Sequence, residues 1–288
     1  YTNLTIDQSS GNATLDGDAT VNKVLALAEG KLITTASFKA ITTAAGSVVR
    51  TNGWVNGNLQ RYVGTNTSAI DFPIGDAAKY TPVALTFTAP SGTGSVVVNQ
   101  TNGIHPNSAT AAISTTKRVN RYYTLTNSGV GNVNYAAVFN FDATDVLNSA
   151  NTNAFKIGNY NPTTWTYPTV GTKTATSTQA TGLTTMGDFL LGECTVPVAY
   201  TVTGGGAYCS GGSGLSIGLS NSQLLVSYQL KLDGVDVGSP VAGTGAALDF
   251  GVQTAAGVYS IVADNGSCTT TMNSSKTITA NPLPTATM

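Results

Sequence analysis

Apolar residues in the first fifty positions come in short triplets separated by Gly, Asp or Asn: Leu4-Thr5-Ile6, Ala13-Thr14-Leu15, Ala19-Thr20-Val21, Leu25-Ala26-Leu27, Leu32-Ile33-Thr34 and Ser47-Val48-Val49. As far as Leu32 they return every six to nine residues. That rhythm predicts short strands, laid out either as a meander or as a few solenoid rungs that stack on one core. Val21, Val24, Leu25 and Leu32 also fall at near-helical spacing, but Glu29-Gly30 interrupts them and the flanking segments read as strands, so the expectation is β. Beyond residue 54 the runs lengthen, at 83–90, 94–101, 121–127, 134–142, 154–161 and 188–193. In NYAAVFNFD, Tyr135, Ala137, Phe139 and Phe141 alternate with smaller or polar residues and are expected on one sheet face. A third set (197–203, 214–220, 224–234, 246–251, 257–264 and 275–280) packs about seven strands into about 90 residues, the density of an immunoglobulin-like sandwich.

The expected architecture is therefore all-β. A short β-solenoid or meander over 1–53 packs on the next domain, an antiparallel β-sandwich follows over 54–194, an immunoglobulin-like β-sandwich over 195–281, and a Pro-rich linker or tail over 282–288. The densest glycine cluster, GGGAYCSGGSG at 204–214, could belong to a phosphate loop. Such a loop needs a following helix and usually a Lys. Here Leu215-Ser216-Ile217-Gly218-Leu219-Ser220 alternates as a strand and contains no Lys, so the cluster reads as a tight bend between strands.

Composition narrows the function. Charged residues make up 9% of the chain and the net charge is −1, which argues against a nucleic-acid partner. Arg50, Arg61, Arg118 and Arg121 are the four arginines, too few for a nucleic-acid footprint. No run of about 18 apolar residues occurs, so no membrane-inserting helix is expected. A start at Tyr1 without a leader reads as a processed product or a fragment. The three cysteines form no C-x-x-C. Cys209 and Cys268 are the candidate disulfide, closing a loop of about 60 residues worth about 4 kcal/mol, with Cys194 unpaired or intermolecular.

Candidate chemistry is sparse. Asp142 with Asp145, or Asp71 with Asp76, could supply a carboxylate pair, but turn and strand-end roles suit them better. Asp16-Gly17-Asp18 is the one candidate calcium contributor; it lacks the usual loop and reads as a turn, so no cofactor is expected. His105, the single histidine, has no nucleophile motif beside it and reads as a loop residue without a catalytic role. Arg118 and Arg121 flank RYYTLTN and are expected to stack or pair across a sheet. Trp54, Tyr160, Trp165 and Tyr167 are the candidate glycan-stacking aromatics, with core packing the leading alternative. Tyr1, Leu4 and Ile6 form a candidate strand-exchange segment that could complete the sheet edge of another copy.

VNGNLQRYVG (55–64), FPIGDAAKYTPVALTFT (72–88), KRVNRYYTLTNSG (117–129) and ATSTQATGLTTMGDFLLGE (175–193) resemble a recurring domain of secreted Bacteroidota surface proteins. YTVTGGGAYCSGGSG (200–214) and SPVAGTGAALDFGVQTAAGVYSIVADNGSC (239–268) resemble the immunoglobulin-like repeats of giant adhesins in that group, many exported by the type IX route. No type IX sorting domain is visible. The resemblance implies a non-enzymatic, extracellular, cell-surface structural or adhesive protein. Its partners would be other copies of itself, neighbouring domains of a larger surface protein, or surface glycans. The alternative is the carbohydrate-binding region of a larger polysaccharide-degrading protein. A solenoid lyase or hydrolase would need carboxylates or basic residues clustered on one face, which the sequence does not show.

Overall fold

The computed structural model describes residues 1–283 except 66, 89, 91 and 132. From residue 284 onward the expected Pro-rich tail lies outside the described residues. Two compact units divide the chain, Tyr1–Cys194 and Thr195–Met288.

The first unit opens as a parallel ladder. β1 (Asn3–Thr14) pairs in parallel with β3 (Val24–Ile33), placing Leu4 beside Leu25 and Ile6 beside Leu27. A second ladder stacks β2 (Ala19–Val21) on β4 (Ala40–Thr42) through Ala19 and Ala40. β3 continues in parallel onto β5 (Ser47–Arg50) and β6 (Trp54–Asn56). β4 continues onto β7 (Leu59–Val63). A meander would pair sequential strands antiparallel through hairpins. Parallel pairing of strands one turn apart makes the triplets solenoid rungs, and Ile6, Leu25, Leu27, Val55 and Leu59 are buried between the ladders. β8 (Ile70–Phe72) and β9 (Ile74–Gly75) follow, with β9 parallel to β6.

At β7 the pairing changes sense. β10 (Val83–Phe87) joins β8, and β11 (Gly94–Asn102) pairs antiparallel with β7. β12 (Ile113–Ser128), β13 (Tyr135–Asn140), β14 (Phe155–Asn161), β15 (Thr164–Thr166), β16 (Thr169–Lys173), β17 (Ser177–Leu183) and β18 (Asp188–Cys194) complete the unit. An eight-stranded sheet, β15-β14-β18-β12-β11-β7-β4-β2, carries the solenoid ladder directly into an antiparallel sheet, and the five-stranded β16-β17-β13-β10-β8 makes a second antiparallel layer. Tyr135, Ala137 and Phe139 are all buried, as the alternation requires. Phe139 lies 5.1 Å from Tyr123 and 4.8 Å from Phe189, ring centre to ring centre. Each such buried ring contributes about 1.5–3 kcal/mol. One apolar cluster runs from Ile6 to Leu191, so rungs and sandwich share a core.

The second unit is an immunoglobulin-like β-sandwich. β19 (Val202–Gly204), β21 (Leu215–Leu219) and β24 (Leu248–Gln253) form one sheet. β20 (Gly206–Cys209), β22 (Ser227–Leu232), β23 (Val235–Ala242), β25 (Gly257–Asp264), β26 (Thr269–Thr271) and β27 (Lys276–Asn281) form the other. The chain crosses between the sheets at Gly204-Gly205-Gly206, leaving an antiparallel pairing with β21 for a parallel one with β27. Gly204 has φ +88°, and a Cβ there would sit 2.0 Å from the Ser216 carbonyl oxygen. The bend read from the sequence is thus confined to the first three glycines, where the chain switches sheets, and Gly206–Cys209 within the cluster is itself a strand. Tyr259, near the start of β25, donates its hydroxyl to the Ala255 carbonyl at 2.8 Å, the tyrosine corner of such sandwiches. Two residues on, where antibody domains place a cysteine, Ile261 is buried.

Two expectations are corrected. Cys194 and Cys268 are each in disulfide form, and Cys209 is a free, exposed thiol. The register explains why Cys209 and Cys268 do not pair. Cys209 lies opposite Asn281, beyond the Gly257 end of β25, whereas Cys268 follows its Asp264 end. Eight strand residues separate those ends by roughly 25 Å, and a disulfide tolerates about 7 Å between Cα atoms. Tyr1, Leu4 and Ile6 are likewise no free donor strand. Leu4 and Ile6 pair with β3, Ile6 is 4% exposed, and the Tyr1 ammonium donates to the Thr20 carbonyl at 2.7 Å.

Candidate functional site

The outer face of the eight-stranded sheet carries a cluster of aromatic and polar groups. Across β12, β18, β14 and β15 the register sets Thr124, Asp188, Tyr160 and Trp165 in one row. The neighbouring row holds Tyr122, Leu190 and Gly158. Because side chains alternate, Phe189 and Leu191 point into the core while Asp188 and Leu190 point away from it. Leu190 is nonetheless fully buried, in line with a cover over this outer face.

His105, in the loop between β11 and β12, belongs to that cover. Its ring centre is 4.9 Å from Tyr122 and 5.1 Å from both Tyr160 and Trp165. Trp165 in turn lies over Gly158, where an added Cβ would meet the indole at 2.9 Å. The Asn107 amide donates to His105 Nδ1 at 3.1 Å, so the ring proton sits on Nε2, which donates to Asp188 Oδ2 at 2.9 Å. Asp188 Oδ1 accepts from the Thr124 hydroxyl at 2.6 Å. His105 is 3% exposed, not a solvent-facing loop residue. Nucleophile activation would need the hydroxyl to face a free imidazole nitrogen. Here the hydroxyl and the imidazole both donate to the carboxylate, and the second nitrogen is engaged by a backbone amide.

Beside this cluster lies an open groove of about 520 Å³ lined by Thr124, Thr126, Tyr160, Pro162, Met186 and Asp188 among others. Tyr160 is half-buried, with its ring tilted 47° to Trp165, so the two rings make an angled wall and not a coplanar platform. Tyr167 faces elsewhere: its hydroxyl accepts the Ala112 amide at 2.5 Å, and burial raises its pKa. Trp54 does not join this group. Its indole donates to the Asp76 carbonyl at 2.9 Å, Lys31 Nζ lies 5.3 Å from the ring centre, and a Cβ on Gly75 would strike the ring at 2.7 Å. Of the four candidate aromatics, Tyr160 lines the groove and Trp165 buttresses it; Trp54 and Tyr167 are structural.

A second polar constellation is buried around Arg121. Its Nε donates to Asp145 Oδ2 at 2.9 Å, Nη1 to Thr81 Oγ1 at 3.0 Å and to Gln100, and Nη2 to Asp76 Oδ2 at 3.1 Å and again to Asp145. Lys79 Nζ reaches Asp145 Oδ1 at 2.5 Å. The sequence pairs Asp71/Asp76 and Asp142/Asp145 are therefore regrouped, with Asp76 and Asp145 meeting on one guanidinium. Burial raises the Asp76 pKa, but the Ala78 and Lys79 amides, the Asn102 side chain and Arg121 outweigh it and hold the carboxyl below its usual range. Asp142 caps the turn at 143–145, and hydrogen bonds from the Thr144 hydroxyl and amide lower its pKa. Arg118 is spent on the Thr115 and Val119 carbonyls at 3.0 and 2.8 Å. Asp18 gives one oxygen to the Lys39 amide at 2.9 Å, and among the described residues no three His, Cys, Asp or Glu side chains converge as metal ligands.

The chain matches no family model, no curated protein and no solved structure.

Proposed function

We propose that the chain is an extracellular structural and adhesive protein, a stalk- or filament-forming surface subunit built of tandem β-units, of the kind found among Bacteroidota adhesins exported by the type IX route. The observation that carries this reading is that the polar groups of the interior close on one another. Arg121 is consumed by Asp76 and Asp145, and His105 by Asp188 and a backbone amide. Groups held that way lock strands together and are not poised to transfer protons. The disulfide form of Cys194 and of Cys268 suits an oxidising exterior. β1, the terminal strand of its sheet, supports assembly with other copies or with neighbouring domains of a longer surface protein. The reading requires no cofactor.

Electron microscopy of producing cells, labelled with gold-conjugated antibody to this chain, tests the proposal. Label on filaments or stalks outside the cell, removed by protease treatment of intact cells, is the expected result. Label confined to the cytoplasm would refute it. The groove beside Tyr160 favours a second reading, the carbohydrate-binding region of a larger polysaccharide-degrading protein. A native full-length protein that releases sugars from polysaccharide would select it.

A further inference from the structure

We infer that the groove beside Tyr160 is a binding site for an uncharged pyranose unit of a surface glycan. This rests on the adhesive reading and names the ligand class it would use. Three observations point to it. The first is size and shape: about 520 Å³, open to solvent, falls within the range of small-molecule sites. The second is the wall. Tyr160, Pro162 and Met186 supply the apolar surface that the C–H face of a pyranose ring covers, and His105 and Trp165 hold the Tyr160 ring from behind. The third is Asp188. Its two oxygens are oriented by Thr124 and His105, which together use one acceptor position on each. An ionised carboxylate offers about four such positions, so two remain for donors arriving from the groove, where the side chain is 27% exposed.

The same carboxylate disfavours an anionic ligand. Among the described residues, no Lys or Arg lines the groove. An anionic sugar would therefore meet a fixed negative charge with no cation to offset it. A neutral sugar brings O–H donors on adjacent carbons, which suit a carboxylate fixed in one plane, while the Thr124 and Thr126 hydroxyls add adaptable partners. His105 acts as a positioning residue: with its proton on Nε2 and its Nδ1 closed by Asn107, it holds Asp188 in one rotamer before any ligand arrives.

Isothermal titration of the full chain against a panel of neutral hexose and pentose oligosaccharides, with hexagalacturonate and glucosamine oligomers as anionic and cationic counterparts, tests the site. Binding of at least one neutral oligosaccharide is expected, weakened roughly tenfold or more by Tyr160→Ala and by Asp188→Asn. Since Asp188→Asn also disturbs His105, Thr126→Val serves as a variant that leaves that hydrogen bond intact, and thermal unfolding is recorded for all three. Failure of every neutral sugar to bind, a preference for either charged oligomer, or affinity unchanged in Tyr160→Ala and Thr126→Val would each overturn the inference. Beads coated with wild-type or Tyr160→Ala protein separate the two readings. Attachment to producing cells that survives the substitution keeps the adhesive reading and discards the groove, whereas wild-type beads that fail to attach count against adhesion itself.

Discussion

Replacing Arg121 with Met should cost the first unit about 3–5 kcal/mol, because it removes the buried guanidinium shared by Asp76 and Asp145. Arg121 is fully buried and Asp145 is 6% exposed, so neither charge can turn to water. Without the guanidinium, Asp145 loses both of its arginine contacts and keeps Lys79 as its cation, while Asp76 still holds the Ala78 and Lys79 amides at 2.7 Å. Two charges about 4 Å apart interact by about 4 kcal/mol at the effective dielectric of such sites. Methionine fills most of the vacated space, so the loss reports the charge more than a cavity. The chain's two tryptophans, Trp54 and Trp165, both lie in the first unit, so their fluorescence follows that unit alone during urea unfolding. With a slope of about 2 kcal/mol per molar, the midpoint should fall by about 2 M. Adding Asp145→Leu should recover more than half of the loss, since an apolar replacement of a whole buried pair is close to neutral. A single variant that loses less than about 1 kcal/mol, or a double variant whose loss equals the sum of the singles, would refute the account.

Three further outcomes follow from the same geometry. Gly204→Ala should destabilise the second unit by more than about 2 kcal/mol, because a positive φ and a backbone clash coincide there. Gly211→Ala, with φ +86° and open space around the new methyl, should cost only about 1 kcal/mol; hydrogen exchange in β21 distinguishes the two. Asp76 and Asp142 have lowered folded-state pKa values, so the unfolded chain binds their protons first. The stability they contribute is complete above their unfolded pKa of about 3.9 and disappears as pH falls through the folded values; urea midpoints by tryptophan fluorescence should therefore decline below about pH 4, and a flat profile there would contradict the assignment. Maleimide applied without reductant should modify Cys209 alone, and Cys194 and Cys268 should become reactive only after reduction, as peptide mass mapping would show.

Much of the site was hidden from the sequence for a reason of distance along the chain. His105 and Asp188 are 83 residues apart, Arg121 and Asp76 are 45 apart, and nothing local to either pair signals the other. One signal was available: Leu190 alternates with core residues in DFLLGE, and a leucine on the outward face of a sheet implies that something covers it. The four aromatics looked equivalent because composition cannot tell a ring backed by a glycine from one that borders a groove. Only the Cβ-free surfaces of Gly75 and Gly158 and the turn of β14 into β15 separated Trp54 from Tyr160.

Properties that act within a few residues were settled by the order of amino acids alone. Period-two alternation at 135–141, the absence of a helix-forming run, and glycines where φ must be positive all fix local backbone states, and these survive in the fold unchanged. Which strands become neighbours was decided by the tertiary structure. The triplets of the first fifty residues serve a meander or a solenoid equally well, and only packing over a shared core made their pairing parallel. Which cysteine stays a thiol and the burial of Arg121 and His105 were decided in the same way, since each depends on contacts that no short stretch of chain encodes.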